Sequence, residues 1–191
     1  MPLDEPPADL SEAQSAESAV KKIPAQFEAV FLEHWPRIYA VLLRLVGDHA
    51  EAEDLALETF IKLHRSFPSK DAQFNTGGWL YRVATNLGLN AIRDWKRRQR
   101  YEQAGGKLEW LENQANGPAE LFAAEEQRQM VRKVLGEMPP RQAQLLVLRY
   151  SGKSYKEIAA ALSLAVTSIG PLLLRAEIEF EKRFRIADRG G

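Results

Sequence analysis

The chain has 191 residues, with 26 basic and 26 acidic side chains and no cysteine. This length accommodates one medium domain or two small ones. Without cysteine, the chain has no disulfide, no thiolate metal ligand and no cysteine nucleophile. No segment approaches the roughly 20 apolar residues that span a bilayer, and no basic start precedes an apolar segment as in a secretory signal. We therefore expect a cytoplasmic protein without membrane insertion.

The first 20 residues are acidic and contain several prolines. They carry no basic side chain, and their acidic residues are Asp4, Glu5, Asp9, Glu12 and Glu17. A segment with few apolar residues and charges of one sign is typical of disorder. The sequence thus predicts a disordered acidic tail over residues 1–23.

A first helical domain is predicted over residues 24–101. Apolar residues recur at helical spacing over residues 27–45, which predicts a first helix. Pro36 inside this pattern predicts a break or a kink, because proline lacks the backbone N–H that a helix needs. Gly47 is expected to end the helix.

Two further helices complete the predicted first domain. An apolar stripe over residues 52–67 predicts a second helix, which Pro68 closes. Residues 68–77 are polar and form a predicted loop. A third helix is expected to begin near Gly78 and to continue into a basic run.

A second helical domain is predicted over residues 120–187, after a turn-rich linker over residues 102–119. Ser154 and Glu157 have the spacing of a capping box, in which each side chain bonds to a backbone N–H at the start of a helix. A short break near Ser163 separates this helix from a further apolar pattern. A capped helix, a short turn and a second helix indicate a helix-turn-helix. The expected fold class is all-α, with two small helical domains joined by a linker.

The third helix carries one continuous stripe of hydrogen-bonding and cationic groups. On a helical wheel, six side chains fall within an arc of about 80°; this polar stripe consists of Trp79, Arg82, Asn86, Asn90, Arg93 and Arg97. Asparagine can pair with a base edge, and arginine with phosphate or guanine. An aromatic ring can stack on an unpaired base. The stripe therefore favours a nucleic-acid interface over an ordinary solvated face.

The opposite face of the third helix is predicted to pack on the first two helices, through Leu80, Ala84, Leu87 and Ala91. Trp95 lies beside this apolar face and is interpreted as a core residue. The basic run beyond the stripe adds Lys96, Arg98 and Arg100. Because the net charge of the chain is zero, attraction to a polyanion must come from such a local patch.

The second helix is acidic on its outer face. Glu51, Asp54 and Glu58 stand three and four residues apart, so they share that face, and Asp48 precedes them. Like charges at this spacing repel by a few tenths of a kcal/mol per pair. Such a face indicates either a basic partner or solubility combined with stabilisation of the helix dipole. Both interpretations remain open at this point.

The two blocks in this order resemble bacterial sigma-70 factors of the small extracytoplasmic-function (ECF) type, from about Phe27 to Phe184. The stretch from Gly47 to Phe60 is similar to the part of sigma region 2 that binds the polymerase clamp helices. The stretch over residues 79–100 is similar to the part that opens and reads the −10 element. Residues 135–176 resemble sigma region 4, which reads the −35 element and contacts the polymerase flap.

The resemblance implies a transcription initiation factor whose partners are core RNA polymerase, promoter DNA and an anti-sigma factor encoded elsewhere. It places polymerase binding on Asp48, Glu51, Asp54, Leu57 and Glu58. It places DNA binding on Trp79, Arg82, Asn86, Asn90, Arg93, Lys96, Arg97, Arg98, Ser168 and Arg175. An unstacked base would be captured in the loop over residues 71–77.

Some residues depart from the family pattern. Leu57 and His64 stand where relatives often carry glutamine and tryptophan. Gly170, Pro171, Leu172 and Leu174 occupy positions where many relatives carry polar or basic residues. Pro171 is expected to be tolerated only if the helix begins near Ser168, which places the proline in the first turn. These departures favour −10 binding over −35 binding. They also motivate an alternative: a sigma-like module that binds polymerase or an anti-sigma factor and reads DNA poorly.

An enzymatic function has little support in the sequence. His34, His49 and His64 lie far apart, and the chain contains neither metal-ligand spacing nor a glycine-rich phosphate loop. We therefore expect no catalytic residue, no metal and no cofactor.

Overall fold

The computed structural model describes residues 25–66, 74–104 and 119–189. Within these ranges the chain forms seven α-helices and no strand, so the predicted all-α fold is confirmed. The predicted acidic tail, most of the predicted loop and the middle of the predicted linker lie outside the described residues. The helices are α1 (Ala25–Val46), α2 (His49–Ser66), α3 (Thr76–Ala104), α4 (Ala119–Glu137), α5 (Pro140–Tyr150), α6 (Tyr155–Leu162) and α7 (Val166–Asp188).

Helices α1, α2 and α3 pack pairwise and form a first unit. Ile38, Leu42, Leu63 and Leu80 are completely buried between them. Aromatic rings fill the space between α1 and α2, where Phe31 and Phe60 meet with ring centroids 4.8 Å apart. Three helices with apolar stripes of this width bury enough surface to form a core.

Helix α1 continues through Pro36, so the predicted break does not occur. Proline at this position removes the hydrogen bond to the carbonyl of Leu32. The Leu32 side chain is 68% exposed, which places this turn of the helix at the surface. Water can therefore satisfy the carbonyl, and the apolar packing on both sides of Pro36 keeps the two halves in one helix.

Helices α4 to α7 form a second unit around Val134, Leu145, Leu148, Ile158 and Ile169. Pro140 stands at the start of α5, a position where the missing N–H costs no helical hydrogen bond. Helices α6 and α7 are joined by a short turn and are bent by 92° relative to each other. This is the geometry of the predicted helix-turn-helix.

The two units contact each other. Helix α3 packs on α1 and α2 with one side and on α4, α5 and α6 with another. Among residues 25–66, 74–104 and 119–189, no single helix is apolar and long enough to cross a membrane. The bent pair α6–α7 reaches that length and composition only when its two helices are taken together.

Candidate nucleic-acid interface

Helix α3 begins at a side-chain cap and leans closely on α1. The amide N–H of Gly78 donates to Asn75 Oδ1 at 2.8 Å, which satisfies a donor of the first turn. Further along, a Cβ at Gly88 would lie 2.8 Å from the Leu45 Cδ1 atom. A glycine is therefore needed for the approach of α3 to α1. This packing directs the polar stripe away from α1 and α2.

Except for Trp79, which packs against the apolar core, the side chains of the polar stripe lie outside the core of their own unit. Within the stripe, Asn86, Asn90 and Arg97 are exposed, while Trp79, Arg82 and Arg93 are partly buried. In the adjoining basic run, Arg98 is exposed and Lys96 is partly buried. Trp79 packs beside Phe74, with ring centroids 6.3 Å apart. The predicted face thus exists, but its middle is partly covered.

The core face of α3 differs in detail from the sequence interpretation. Leu80 and Ala84 are buried as predicted, whereas Leu87 and Ala91 are only partly buried. Trp95 was interpreted as a core residue, and this was wrong, because its side chain is 43% exposed. The reason is length: α3 extends past the end of α1 at Val46. Trp95 lies near that end of α1, where it lines a crevice of about 280 Å³ together with Gly47 and Asp48.

The second unit covers the middle of the polar stripe through specific hydrogen bonds. Gln144 on α5 donates from Nε2 to Asn86 Oδ1 at 2.5 Å. The Arg93 guanidinium donates to the carbonyls of Gly136, at 3.2 Å, and Met138, at 3.4 Å. These carbonyls lie at the C-terminus of α4, where a helix leaves acceptors without internal partners.

An ion pair and a close backbone approach extend the same contact. Lys96 pairs with Glu137 at the end of α4. A Cβ at Gly136 would lie 3.0 Å from Ile92 Cγ2, so glycine is the residue that lets α4 approach α3 this closely. The cationic part of the stripe therefore interacts with the end of α4.

A second contact between the units lies near the start of α3. Lys153, in the turn before α6, places its Nζ atom 3.9 Å from the centroid of the Tyr81 ring, a cation–π contact. Next to it is a cavity of about 120 Å³ that is lined by His34, Arg37 and Glu157 among others. Burial lowers the pKa of His34; Arg37 and Lys153 lower it further, against the opposing effect of Glu33.

A third contact joins α4 to the turn between α1 and α2. Gly47 has a φ of +79°, and a Cβ there would collide with the Arg132 guanidinium. Arg132 is held in place by Glu125 Oε1 at 2.5 Å. Burial alone would raise the pKa of Glu125, but the hydrogen bonds and charges of Arg132 and Arg128 outweigh it and lower that pKa. Three separate contacts thus hold the second unit on the first.

The acidic face of α2 is largely exposed, although Glu51 is partly buried. Asp48 caps the helix, since its Oδ1 atom accepts from the Glu51 N–H at 2.8 Å. Asp54 is exposed, and Glu58 pairs with Lys62 at 3.0 Å on the surface. Leu57 is 42% exposed on the same side of the helix.

Ile61 also belongs to this face and was missed by the sequence analysis. Its side chain is 49% exposed, one turn after Leu57. The spacing of four residues between two apolar side chains was a signal that could have identified it. Two exposed apolar residues beside carboxylates make a surface suited to a protein partner.

The helix-turn-helix is built as its sequence predicted. Glu157 N–H donates to Ser154 Oγ at 3.3 Å, and Ser154 N–H donates to Glu157 Oε2 at 2.8 Å, which confirms the capping box. The backbone and side-chain hydrogen bonds from Ser154 lower the pKa of Glu157 to about 2, with a contribution from Lys153. Ser163 ends α6 in the left-handed region with a φ of 54°.

Helix α7 begins two residues before the start near Ser168 that was predicted from Pro171. It starts at Val166, with Ser168 in its first turn, so Pro171 lies inside the helix and not in its first turn. The proline removes the hydrogen bond to the Thr167 carbonyl. Thr167 is exposed, so water can satisfy that carbonyl, and Ile169 and Leu173 fix the helix from its buried side.

Part of the exposed surface of α7 is apolar. Leu174 and Ile178 are 59% and 57% exposed, and Pro171 is exposed beside them. Arg175 is exposed and so can reach a phosphate. The structure therefore brings eight of the predicted DNA-binding residues together on α3 and leaves Ser168 and Arg175 apart on α7. Of the predicted base-capture loop, residues 71–73 lie outside the described residues.

Comparison with known proteins places both units in one family. Residues 30–100 match the family described as Sigma-70 region 2, and residues 128–178 match the family described as Sigma-70, region 4. The chain is 30% identical to the ECF RNA polymerase sigma factor SigE of Mycolicibacterium smegmatis over 139 residues. That match covers 72% of this chain and 53% of SigE, so the chain spans about half of that relative.

Two further proteins are matched over most of their length. The ECF RNA polymerase sigma factor SigW of Bacillus subtilis is 29% identical over 158 residues, which cover 78% of this chain and 83% of SigW. The solved structure of CnrH in complex with the cytosolic domain of CnrY has a TM-score of 0.53 at 19% identity. The superposition covers 89% of this chain and 92% of the matched chain, so the two proteins share a fold. With a sigma region 2 followed by a sigma region 4, the chain belongs to the sigma-70 family and to its ECF type.

Proposed function

We propose that this chain is a transcription initiation factor that binds core RNA polymerase and directs it to promoters through the −10 element. The observation that carries the proposal is the polar stripe of α3. Its asparagines and arginines lie on one side of a helix whose other side is buried on α1 and α2. The matches to sigma regions 2 and 4 support promoter DNA as the ligand of that surface.

Each part of the stripe has a task in this proposal. Arg93 and Arg97 hold phosphates, as arginine forks do, and Asn86 and Asn90 pair with exposed base edges. An unstacked base enters the loop before α3, near Trp79. Unpairing a base costs a few kcal/mol, which stacking and hydrogen bonds in a pocket can offset. Binding of the opened strand thereby favours melting.

The polymerase-binding surface is the open face of α2. We assign it to Asp48, Glu51, Asp54, Leu57 and Glu58, and we add Ile61 because it is exposed between them and the end of the helix. Carboxylates around apolar side chains suit a basic protein surface, with charge guiding the approach and apolar contact supplying affinity. We propose domain limits of 24–101 and 120–187 for the two binding units.

We assign recognition of the −35 element to α7, which offers fewer hydrogen-bonding groups to DNA than α3 does. Ser168 and Arg175 are available, but Leu174 and Ile178 occupy much of the exposed face. Leucine offers no hydrogen bond to a base edge and can contact only a thymine methyl group. This apolar face supports a second candidate function, in which region 4 engages a protein such as polymerase or an anti-sigma factor and contributes little to DNA readout.

Run-off transcription with core polymerase on genomic fragments tests the proposal. We expect transcripts with defined start sites that are absent when either the chain or the polymerase is omitted. An Asp54→Lys variant should lose these transcripts, because the lysine repels a basic docking surface, whereas Glu126→Lys on the exposed face of α4 should retain them. If the chain binds polymerase but yields no specific transcript, the second candidate function replaces the first.

A further inference from the structure

Helix α7 exposes a narrow stripe that is poor in hydrogen-bonding groups. On a helical wheel, four exposed side chains fall within an arc of about 60°; this α7 stripe consists of Thr167, Pro171, Leu174 and Ile178. The Thr167 hydroxyl is its one hydrogen-bonding side-chain group. The stripe can therefore tell one ligand from another mainly by apolar contact.

The first part of the stripe lies where a helix-turn-helix reads DNA. Helix α6 is fixed by its capping box, and α7 is bent by 92° relative to it. In this motif the N-terminal residues of the second helix contact base edges in the major groove. Thr167, Pro171 and Leu174 lie in the first half of α7 (Val166–Asp188). These three side chains therefore have the position of base-reading residues.

Charge divides the stripe between Leu174 and Ile178. Residues 163–176 contain no acidic side chain. Glu177 and Glu181 follow, and both are exposed beside Ile178. Phosphates are attracted by cations and repelled by carboxylates, so the stripe suits a polyanion as far as Leu174 and suits it less at Ile178. Leu174 and Ile178 are 59% and 57% exposed, so their difference lies in the surrounding charge.

An exposed arginine borders the first part of the stripe on each side. Arg175 lies about 70° from the middle of the stripe, and Gly170 lies about 70° away on the opposite side. At Gly170 a Cβ would lie 3.8 Å from Tyr155 Cε2. The guanidinium carbon of Arg149 lies 5.5 Å from the centroid of that Tyr155 ring. Because phosphates border the major groove on both sides, cations on both sides of an apolar stripe suit that groove.

We propose that Thr167, Pro171 and Leu174 read thymine methyl groups in the upstream promoter element. Thymine displays its C5 methyl group in the major groove, where apolar side chains and the threonine methyl group can contact it. Cytosine presents an amino donor there, which proline and leucine cannot accept. The proposal rests on the proposed function, because it takes promoter DNA as the ligand of α7. It goes further by naming the base that α7 selects.

Replacing thymine by uracil tests the proposal, because it removes the methyl group and keeps the base pairing. The probe is a genomic fragment that yields a defined transcript in run-off transcription. A synthetic copy carries uracil at every thymine between the −10 element and the upstream end of the polymerase footprint. Fluorescence anisotropy measures the binding of core polymerase with the full chain to each copy. We expect about 3- to 15-fold weaker binding to the uracil copy, since each buried methyl group contributes about three- to fourfold.

Leu174→Ala and Ile178→Ala form a matched pair of variants. The two substitutions remove the same number of carbon atoms from nearly equally exposed positions of one helix. Leu174→Ala should bind the thymine copy more weakly and should reduce the ratio between the two copies by about three- to fourfold. Ile178→Ala should keep the ratio of the parent chain. Thermal unfolding first confirms that both variants are folded.

Equal binding of the two copies by the parent chain overturns the proposal. A uracil effect that Leu174→Ala leaves unchanged also overturns it, because the methyl groups then act through DNA shape or through polymerase. If both variants weaken binding to both copies equally, the α7 stripe contacts a protein and does not read DNA. A chain that directs no defined transcript fails before the uracil copies are made, and the proposed function falls together with this inference. A chain that directs transcripts without a uracil effect loses only the inference.

Discussion

Helices α3 and α7 are the two helices that would meet DNA, and they present opposite surfaces to it. Helix α3 exposes Asn90, Arg97 and Arg98, with Asn86 and Arg93 on the same side. Helix α7 exposes Leu174 and Ile178 in its central turns. Both helices pack an apolar side on their own unit, so the difference lies only in the outer face. If the proposed DNA-binding role is right, we therefore expect affinity for DNA to be concentrated in the first unit.

The difference also explains how the two units can bind each other. The amide and guanidinium groups that suit DNA also form hydrogen bonds with backbone carbonyls and side-chain amides. Helix α3 forms such bonds with the end of α4 and with Gln144. Apolar side chains cannot form these hydrogen bonds. The apolar face of α7 stays exposed at Leu174 and Ile178. The second unit thus covers α3 without using its own outer face.

The largest expected effect is the loss of two cations from α3. An Arg97→Ala/Arg98→Ala double variant should bind promoter DNA with polymerase about 10- to 100-fold more weakly, since each arginine holds a phosphate. The slope of log affinity against log salt should fall by roughly 1.4 to 1.8. Filter binding or fluorescence anisotropy over a salt series measures both quantities. An unchanged slope would remove these two residues from the interface.

Among the residues that the structure describes, neither Arg97 nor Arg98 forms a hydrogen bond or ion pair with the second unit. Both are exposed, and Arg97 pairs with Asp94 at 3.1 Å on the surface of the same helix. Such an exposed pair is weak and yields to a phosphate. The contact between the units should therefore remain as in the parent chain.

A matched loss of two cations from α7 should have a smaller effect. Arg175→Ala/Lys182→Ala removes the same charge from a face whose centre is apolar. We expect promoter binding to weaken by less than about threefold and the salt slope to change by less than one unit. The same salt series measures it. A loss as large as that of the α3 variant would show that α7 binds DNA as strongly as α3, and the comparison between them would fail.

The smallest expected effect concerns the cap that positions α6 before α7. Glu157→Gln should destabilise the chain by about 1 kcal/mol at neutral pH, as the loss of a helix cap does. The Ser154 hydrogen bonds lower the pKa of Glu157 from 4.5 to about 2. Its contribution is therefore fully present above pH 4.5 and is lost as the pH falls towards 2.

Denaturant unfolding followed by circular dichroism at pH 7 and at low pH measures this contribution. The parent chain and Glu157→Gln should differ at pH 7 and converge as the pH approaches 2. Glu181→Gln, which removes an exposed pair within α7, should change stability by less than about 0.5 kcal/mol. A difference that persists at low pH would mean that the carboxylate does not act through the cap.

Local patterns were enough to predict the helices. The apolar spacing gave α1, α2 and the start of α3 near their observed positions, because each helix buries a stripe that recurs every three or four residues. The capping box of Ser154 and Glu157 was predictable since both partners lie within one turn. The resemblance to sigma factors rested on the same ordered motifs, which the two family matches confirm.

The sequence was enough to predict which side chains share one side of α3, but not which distant residues contact that side. Helical geometry placed Asn86, Arg93 and Arg97 on one side of α3 without knowledge of the fold. It could not show that Gln144 and Glu137, more than 40 residues away, contact that side. Trp95 was misplaced for a related reason, because its exposure depends on where α1 ends beneath α3.

The sequence by itself determined the helices, their caps, the order of acidic and basic faces and the family, since these follow from neighbours along the chain. Only the tertiary structure decided that Pro36 and Pro171 remain inside helices, because packing on their buried sides outweighs a lost hydrogen bond at the surface. It also decided that the second unit lies against the polar stripe of α3. That contact joins residues distant in sequence, and no local periodicity encodes it.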